Sequence, residues 1–425
     1  MPLIALTAVL AAPAPARACG GCFAPPTAVQ VVTDHRMVLS LSRDRTVLWD
    51  QFRYTGRPEE FSWILPIRNG PGVVVETAEN VFLTAMDDVS VPLVNPAPSP
   101  GRCRNSGGGC GFADAAPTLA GGGSNGFGAP TVNVYNSSVV GPYQVTTLGG
   151  TDPMALRNWL QANGYAVPPA VAPIIDTYVE QRMDFVAVRL RPGAEVTQMQ
   201  PLRVVMPGYV PTLPLRMIGA GIADKVGLVL TVISESRVEA MNFPNGEVRD
   251  ADLVFDYDAP STDAAADFIA QFNRINRASM GRVWLTESAT RVSESEVSSA
   301  RSVRCSGAFG TTPPPECEMA PTQTRDATLA FQPFGGVALV TRLRADLNAT
   351  ALDRDLLLAA SDRPDRSRTY NYGTLRHDPC ASPHTDFDGC SARGARAPGG
   401  LYLAGLTTLG LVAAARTRRR RRAQN

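Results

Sequence analysis

The stretch Met37–Trp49, which reads MVLSLSRDRTVLW, decides the fold class. Apolar and small side chains alternate up to a turn at Arg43-Asp44, and a second apolar run begins at Thr46. Alternation with a period of two is typical of a strand buried on one face, and two such runs around a short polar turn predict an antiparallel hairpin. The chain therefore contains a predicted sheet that is built from hairpins.

Further runs of β-branched and aromatic residues predict more strands along the chain. They cover residues 61–67, 131–135, 143–148, 185–190, 202–206, 228–233, 237–241, 337–342 and 355–360. Because hairpins outnumber alternations of strand and helix, the sequence predicts a sheet-dominated mixed α+β fold with a few helices between strand groups. A doubly wound α/β sheet is the alternative.

Segments in which apolar residues recur at helical spacing lie between the strand groups, and they predict helices. The clearest predicted helix has Thr151 or Asp152 as its N-cap, Pro153 in its first turn and Gly164 at its end. Leu160 lies on its apolar face together with other large side chains. The remaining predicted helices cover residues 78–86, 169–181 and 262–276.

Two long loop insertions interrupt this pattern, and both are rich in residues that disfavour regular structure. They cover residues 95–130 and 293–325. Cys103 and Cys110 close a short glycine-rich loop in the first insertion, and Cys305 and Cys317 bracket a proline-rich loop in the second. As local disulfides, each pair stabilises the fold by about 2–3 kcal/mol through restriction of the unfolded chain.

The charge is distributed unevenly along the 425 residues. Residues 391–425 carry eight arginines and no acid, so the rest of the chain has 32 basic and 39 acidic residues, a net charge of −7. A body of this sign does not attract phosphate backbones, which disfavours nucleic-acid binding. Lys225 is the single lysine, so Schiff-base chemistry is restricted to that residue.

The first 18 residues read as a secretory signal peptide. An apolar run, Leu3–Ala12, precedes Ala16-Arg17-Ala18, which is an A-x-A cleavage site, and Cys19 follows. Because eight cysteines in an exported chain favour disulfides over metal clusters, they are interpreted as structural. The sequence leaves the pairing of four of them open: Cys19, Cys22, Cys380 and Cys390.

Six short segments follow one another along most of residues 19–362. They are Ala18-Cys19-Gly20-Gly21, Phe61–Ile67, Asn158–Tyr165, Phe185–Leu190, Gln200-Pro201-Leu202 with Pro214-Leu215-Arg216, and Thr341-Arg342-Leu343 with Asp355-Leu356. In this order they resemble the bacterial family called domain of unknown function 2330. The resemblance implies an exported α+β body over residues 19–362, and it supplies no activity, substrate or catalytic residue.

The C-terminal tail resembles the MYXO-CTERM sorting signal. After a polar linker, 363–392, that contains Gly389-Cys390, an apolar stretch of 17 residues, Gly399–Ala415, precedes the basic run Arg416–Arg422. As a helix the stretch is about 26 Å long, which just spans a hydrocarbon core, and the arginines then remain on the cytoplasmic side. The resemblance implies that a sorting enzyme processes the chain at Cys390, where a lipid is attached, and that segment 393–425 is the transmembrane sorting segment. A plain transmembrane anchor is the alternative.

Three motifs suggest chemistry, and each has a simpler interpretation. Cys19-Gly20-Gly21-Cys22 matches the C-x-x-C of thiol-redox proteins, but no strand precedes it to build the usual turn. Gly122–Gly126 fits G-x-S-x-G by chance, since it lies in a glycine-rich loop. The three histidines, His35, His377 and His384, would need side chains that converge in space to bind a metal. His377 and His384 lie in the polar linker and are interpreted as solvated polar residues.

The sequence therefore favours a non-enzymatic structural or interaction module, exported and anchored at the cell surface through its C-terminus. Its predicted partners are the membrane and a sorting enzyme, and no catalytic residue, metal ligand or cofactor is assigned. Two alternatives remain: an envelope thiol-redox protein that uses Cys19 and Cys22, and a metal- or ligand-binding surface protein.

Overall fold

The predicted hairpin is present in the computed structural model of the protein. Strand β1, His35–Leu41, pairs antiparallel with β2, Arg45–Phe52.

The structure describes residues 35–52, 61–97, 132–165, 167, 169, 171–219, 225–260, 263–306 and 325–377, with side chains only up to residue 300 in the segment that ends at 306. All of these residues belong to one structural unit.

The described residues contain nineteen strands and seven α-helices, a sheet-dominated α+β fold as predicted. After β1 and β2 the strands are β3 Ser62–Ile67, β4 Val74–Thr77, β5 Leu93–Val94, β6 Asn133–Val140, β7 Tyr143–Gly149, β8 Asp184–Leu190, β9 Leu202–Pro207, β10 Thr212–Leu213, β11 Lys225–Ser234, β12 Val238–Ala240, β13 Asn245–Gly246, β14 Val254–Asp256, β15 Trp284–Ser293, β16 Val337–Asn348, β17 Leu356–Ala360, β18 Thr369–Tyr370 and β19 Thr374–Arg376. The helices are α1 Asn80–Ser90, α2 Pro153–Ala162, α3 Ala172–Glu180, α4 Leu215–Gly219, α5 Ala264–Ala278, α6 Glu294–Ser306 and α7 Arg325–Phe331.

The largest sheet has eight strands in the order β13-β15-β16-β11-β1-β2-β9-β4. Five neighbouring pairs are antiparallel, and two are parallel: β1 with β11 and β13 with β15. Alternation along β1 sends Met37, Leu39 and Leu41 to one face and Val38 to the other. Both faces are buried, so the sheet is an inner layer of the molecule.

One face of this sheet packs on a second sheet, which has the order β3-β8-β7-β6. Side chains from both sheets form one apolar core between them, with Leu39 from the larger sheet and Val188 from the smaller one. Helices α2 and α3 cover the outer face of the smaller sheet, where Leu160 and Ile175 pack against Phe185. This gives two stacked sheets with helices outside.

The other face of the eight-stranded sheet is covered by helices. Helices α1, α6 and α7 pack over Val38, Trp49 and Val340, while α5 contributes Phe268 and Phe272 to a separate apolar cluster. None of the helices in the described residues is both long enough and apolar enough to cross a membrane.

The ends of α2 follow the predicted chemistry, and α5 begins with a cap of the same kind. The Asp152 side chain accepts a hydrogen bond from Met154 N at 2.9 Å at the start of α2, and Gly164 adopts φ +77° just beyond its end. Asp263 caps α5 by accepting from Ala266 N at 3.0 Å. Local sequence therefore determines where these two helices start.

The structure differs from the sequence prediction in the second insertion, 293–325, because α6 occupies its first part. Ser293 and Glu296 form a reciprocal cap: Glu296 N donates to Ser293 Oγ at 3.2 Å, and Ser293 N donates to Glu296 Oε2 at 2.6 Å. Val297 is buried against α1 and α7. Of the first insertion, residues 98–130 lie outside the described residues.

Residues 363–377, predicted as the start of the polar linker, contain β18 and β19. Strand β18 pairs in parallel with β5, and β19 pairs in parallel with β14. Tyr370 is fully buried, and its hydroxyl donates to Glu287 O at 2.5 Å. The folded body therefore extends at least to His377.

Candidate functional site

A group of charged side chains lies beneath α1 on the helix-covered face of the eight-stranded sheet. Arg342 Nε donates to Glu287 Oε2 at 2.8 Å, and Arg342 Nη1 donates to Asp87 Oδ1 at 2.5 Å. Arg36 Nη1 donates to the other oxygen of Asp87 at 2.8 Å. Burial alone would raise the pKa of Asp87, but the guanidinium groups of Arg342 and Arg36 outweigh it and lower that pKa below its ordinary value.

A second buried group ties α7 to the sheet. Asp326, almost fully buried, pairs with Arg203 and accepts hydrogen bonds from Trp49 Nε1 and Glu79 N, both at 2.9 Å. Arg203 Nη2 also donates to Glu76 Oε2 at 2.5 Å. Each charge in this group has opposite charges or donors around it, as buried ions require, so its clear task is to fix α1 and α7 on the sheet.

Three side chains with metal-ligand atoms converge at the ends of β14 and β19. His377 Nδ1 lies 2.7 Å from Asp256 Oδ1 and 3.3 Å from Asp258 Oδ2. One ligand atom from each of the three residues lies within 4.8 Å of the other two. The hydrogen bond to Asp256 is the main reason that the pKa of His377 is raised, and the same contact lowers the pKa of Asp256.

This convergence was not foreseen from the sequence. His377 is one of the three histidines considered as metal ligands from the sequence, whereas Asp256 and Asp258 had no predicted role. The two segments lie 121 residues apart, and only the pairing of β14 with β19 brings them together. A D-x-D pattern directly after a short apolar strand was the one local signal.

The other predicted site residues fall in different places. His35 pairs with Asp50, with His35 Nδ1 at 3.4 Å from Asp50 Oδ1, and it is not part of the His377 group. His384 and the Gly122–Gly126 motif lie outside the described residues. So do seven cysteines: Cys19, Cys22, Cys103, Cys110, Cys317, Cys380 and Cys390. The eighth, Cys305, lies in α6, and its side chain is not described. Their pairing stays a prediction.

Two cavities bear on ligand binding. The larger, of about 460 Å³, is an open groove beside Gly141 and Arg191 and is lined mainly by glycine, proline and glutamine residues. The smaller, of about 40 Å³, lies in the apolar core between the two sheets, with Asp355 as its one acid. Tyr178 already donates to Asp355 at 2.5 Å. Neither cavity includes the buried ion pairs or the His377 group.

Strand β6 forms an open edge of the four-stranded sheet. Among the described strands it pairs only with β7. Its sequence, NVYNSSVV, contains no charge, proline or glycine, and the Val139 side chain is 57% exposed. A bulge at Tyr135 interrupts the register with β7, and the Tyr135 hydroxyl donates to Asp184 Oδ1 at 3.1 Å. Natural edge strands usually carry charges or proline against unwanted pairing, so this edge is suited to strand addition.

Residues 13–304 match the profile of a family described as uncharacterized protein conserved in bacteria, domain of unknown function 2330. The match covers well over half of the 425 residues. The chain belongs to this family. No curated protein and no solved structure shows a detectable similarity to it.

In this member of the domain of unknown function 2330 family, the fold does not end where the match ends. Strand β16, which starts at Val337, is an interior strand of the eight-stranded sheet. Asp326 and Arg342, from beyond the match, pair with Arg203 and Asp87 from within it. The His377 group is divided in the same way, because both aspartates lie inside the matched segment.

Proposed function

We propose that this member of the family is an exported protein, held at the cell surface through its C-terminal segment, that works as a structural or interaction module. The observation that carries the interaction role is the open, uncharged edge strand β6. Export and anchoring rest on the sequences of the two ends: the signal-like segment 1–18, and the tail with Cys390, the apolar stretch and the arginine run.

The arrangement of charges supports a scaffold role. The buried ions under α1 and α7 are engaged with one another and with backbone donors, as for Arg342 with Asp87 and Arg203 with Asp326. They hold the helices on one face of the sheet. Such a body offers a rigid platform on which an edge strand can take up a partner with little loss of conformational entropy.

Edge β6 offers the chemistry of strand addition. An added strand gains backbone hydrogen bonds along the edge, and the side chains of Val134 and Val139 offer apolar contacts to it. The absence of charge on β6 removes the repulsion that would select against such pairing. The proposed partner is therefore an extended segment of another envelope component.

Export and C-terminal processing can be tested by mass spectrometry of the protein isolated from its native cell envelope. We expect a mature N-terminus at Cys19 and a lipid adduct on Cys390. An intact C-terminus ending in Asn425 would contradict processing and leave a plain anchor. Differential alkylation in the same sample tests the rival thiol-redox activity, which a readily reducible Cys19–Cys22 bond would favour.

The interaction role can be tested by site-specific photocrosslinking in intact cells. A photoreactive side chain is placed at Val139 on β6 or, as a matched control, at Val337, an exposed valine at the start of the interior strand β16. We expect a discrete crosslinked product from position 139 and none from 337. Equal products from both positions, or none from 139, would refute β6 as the interaction edge.

A further inference from the structure

We propose that Asp256, Asp258 and His377 form a binding site for a divalent transition-metal ion such as Mn²⁺ or Zn²⁺. The three residues come from two chain segments that meet through the parallel pair β14 and β19. In that pair Asp256 lies opposite Arg376, so Asp258 and His377 both follow the carboxyl ends of their strands. Parallel strands place these ends at the same edge of the sheet.

The spacing of the ligand atoms suits one ion. Imidazole nitrogens and carboxylate oxygens bind Zn²⁺ at about 2.0–2.2 Å, which sets ligands on one ion roughly 3 Å apart. His377 Nδ1 lies 2.7 Å from Asp256 Oδ1 and 3.3 Å from Asp258 Oδ2. An ion can therefore replace the proton that the imidazole now shares with the carboxylates without a large movement of the backbone.

The backbone around the site holds the aspartates in place. Asp258 N donates to Asp256 Oδ1 at 3.0 Å, which fixes the Asp256 carboxylate beside Asp258. Tyr257 N donates to Arg376 O at 3.1 Å and fixes the two segments against each other. The Tyr372 hydroxyl donates to Asp267 Oδ2 at 2.7 Å, which links this corner to α5.

The donor set decides the class of ion. Two carboxylates alone would suit a hard ion such as Ca²⁺ or Mg²⁺, whereas an imidazole shifts the preference toward transition metals. His377 is 59% exposed and Asp258 is 74% exposed on their side chains, so an ion can enter from solvent and keep water in its remaining positions. Three protein ligands at an exposed site bind more weakly than a closed four-ligand structural site.

Mn²⁺ is the better probe, because any of the eight cysteines left as a free thiol would also bind Zn²⁺. MnCl₂ is titrated into the full-length protein, and free Mn²⁺ is followed by its electron paramagnetic resonance signal. We expect one ion per chain, and a dissociation constant at least tenfold higher in both Asp258→Asn and His377→Gln. Asp44→Asn removes an exposed carboxylate from the β1–β2 turn and should bind like the native chain.

Both variants change exposed side chains, and circular dichroism spectra and urea midpoints check that they fold. A native chain without stoichiometric binding, or with an affinity that both variants share, would overturn the proposal. Loss of binding in Asp258→Asn alone would also overturn it, since it would indicate a carboxylate site without the imidazole. None of these outcomes depends on export or on the β6 edge, so the two proposals stand or fall separately.

Discussion

The two faces of the eight-stranded sheet are both buried, and they differ in chemistry. The face toward the smaller sheet is apolar, with residues such as Leu39, Leu230 and Leu343. The face toward the helices mixes apolar side chains with buried ions, among them Arg203 and Arg342. On β16 the consecutive residues Leu343 and Arg344 are 0% and 2% exposed and lie on opposite faces.

The difference shows how each layer is held. Apolar packing between two sheets has no strong directional preference. It therefore supplies stability without specifying which side chains must be in contact. Ion pairs require particular partners at particular distances. Here some join a sheet strand to a helix, as Arg203 does with Asp326 on α7, and others join two strands, as Arg342 does with Glu287. We infer that the charged face fixes the positions of α1 and α7, while the apolar face supplies most of the free energy of folding.

The largest loss of stability is expected on the charged face, in Asp326→Ala. The substitution leaves Arg203 buried with Glu76 as its remaining acid and removes the acceptor of Trp49 Nε1 and Glu79 N. Breaking a buried pair on one side typically costs about 3–5 kcal/mol. Urea denaturation gives the free energy of unfolding, with Asp44→Ala as an exposed control that should change it by less than about 0.5 kcal/mol. A loss below about 1 kcal/mol in Asp326→Ala would show that this ion pair does not hold α7.

A somewhat smaller loss is expected on the apolar face, in Leu343→Ala. Truncation of a fully buried leucine leaves a cavity between the sheets and costs about 2–5 kcal/mol. Leu343→Met, which nearly conserves volume, should cost less than about 1.5 kcal/mol in the same urea experiment. Equal losses in the two variants would mean that this face is packed less closely than its burial indicates.

Acid should weaken the charged face through Asp87. Arg342 and Arg36 keep the pKa of Asp87 below its ordinary value, so the folded state takes up its proton less readily than the unfolded chain. The stabilisation is therefore present above the ordinary aspartate pKa of about 3.9, and it is lost as the pH falls through the lowered value. Asp87→Asn should lower the free energy of unfolding by about 2 kcal/mol at pH 7, the usual cost of losing hydrogen bonds to charged groups.

Urea titrations of the native chain and Asp87→Asn at pH 7, 5 and 3.5 check this sign. The difference between the two proteins should be constant from pH 7 to 5 and smaller at pH 3.5. Asp44→Asn, an exposed carboxylate with the same change of charge, should show no such narrowing. A difference that grows toward low pH would reverse the assigned direction.

Elements with a strong local signal could be predicted from the sequence, and elements that depend on buried charge or on distant packing could not. Strands with a clear apolar run, such as β1 and β8, and helices with apolar residues at helical spacing, such as α2 and α5, were predicted close to their observed bounds. Strand β15 was missed because its sequence, WLTESATRVS, places Glu287 on a buried face, where pattern reasoning expects an apolar residue. Helix α6 was missed because its serines have weak helix propensity, and its position depends on Val297 packing against α1 and α7.

The candidate site was less accessible to sequence reasoning than the fold. The sequence placed His377 in the polar linker 363–392, whereas the structure brings it to Asp256, 121 residues away in the chain, and to Asp258. The β14–β19 pairing that joins them is only three residues long, too short to produce a periodic signal. Sites of this kind depend on long-range pairing, which a single sequence does not record.

The smallest effect is expected at Arg344, the least well paired ion of the charged face. Its Nη1 lies 3.7 Å from Glu287 Oε1, too far for a hydrogen bond, and its guanidinium lies 3.8 Å from the ring centre of Phe272. Burial lowers the pKa of Arg344, and the charge of Glu287 does not restore it. Glu287 keeps its hydrogen bond from Arg342 when Arg344 is replaced.

Arg344→Met should therefore change the free energy of unfolding by no more than about 1 kcal/mol, in either direction, because an apolar side chain of similar length can replace a poorly satisfied buried ion. Arg342→Met is the matched comparison on the same strand and face. It removes three hydrogen bonds, to Glu287, Asp87 and Ser90, and should destabilise by several kcal/mol. If the two variants lost the same free energy, charge alone would set the stability of this face. A large gap between them would instead show that hydrogen-bond geometry decides which buried arginine the fold needs.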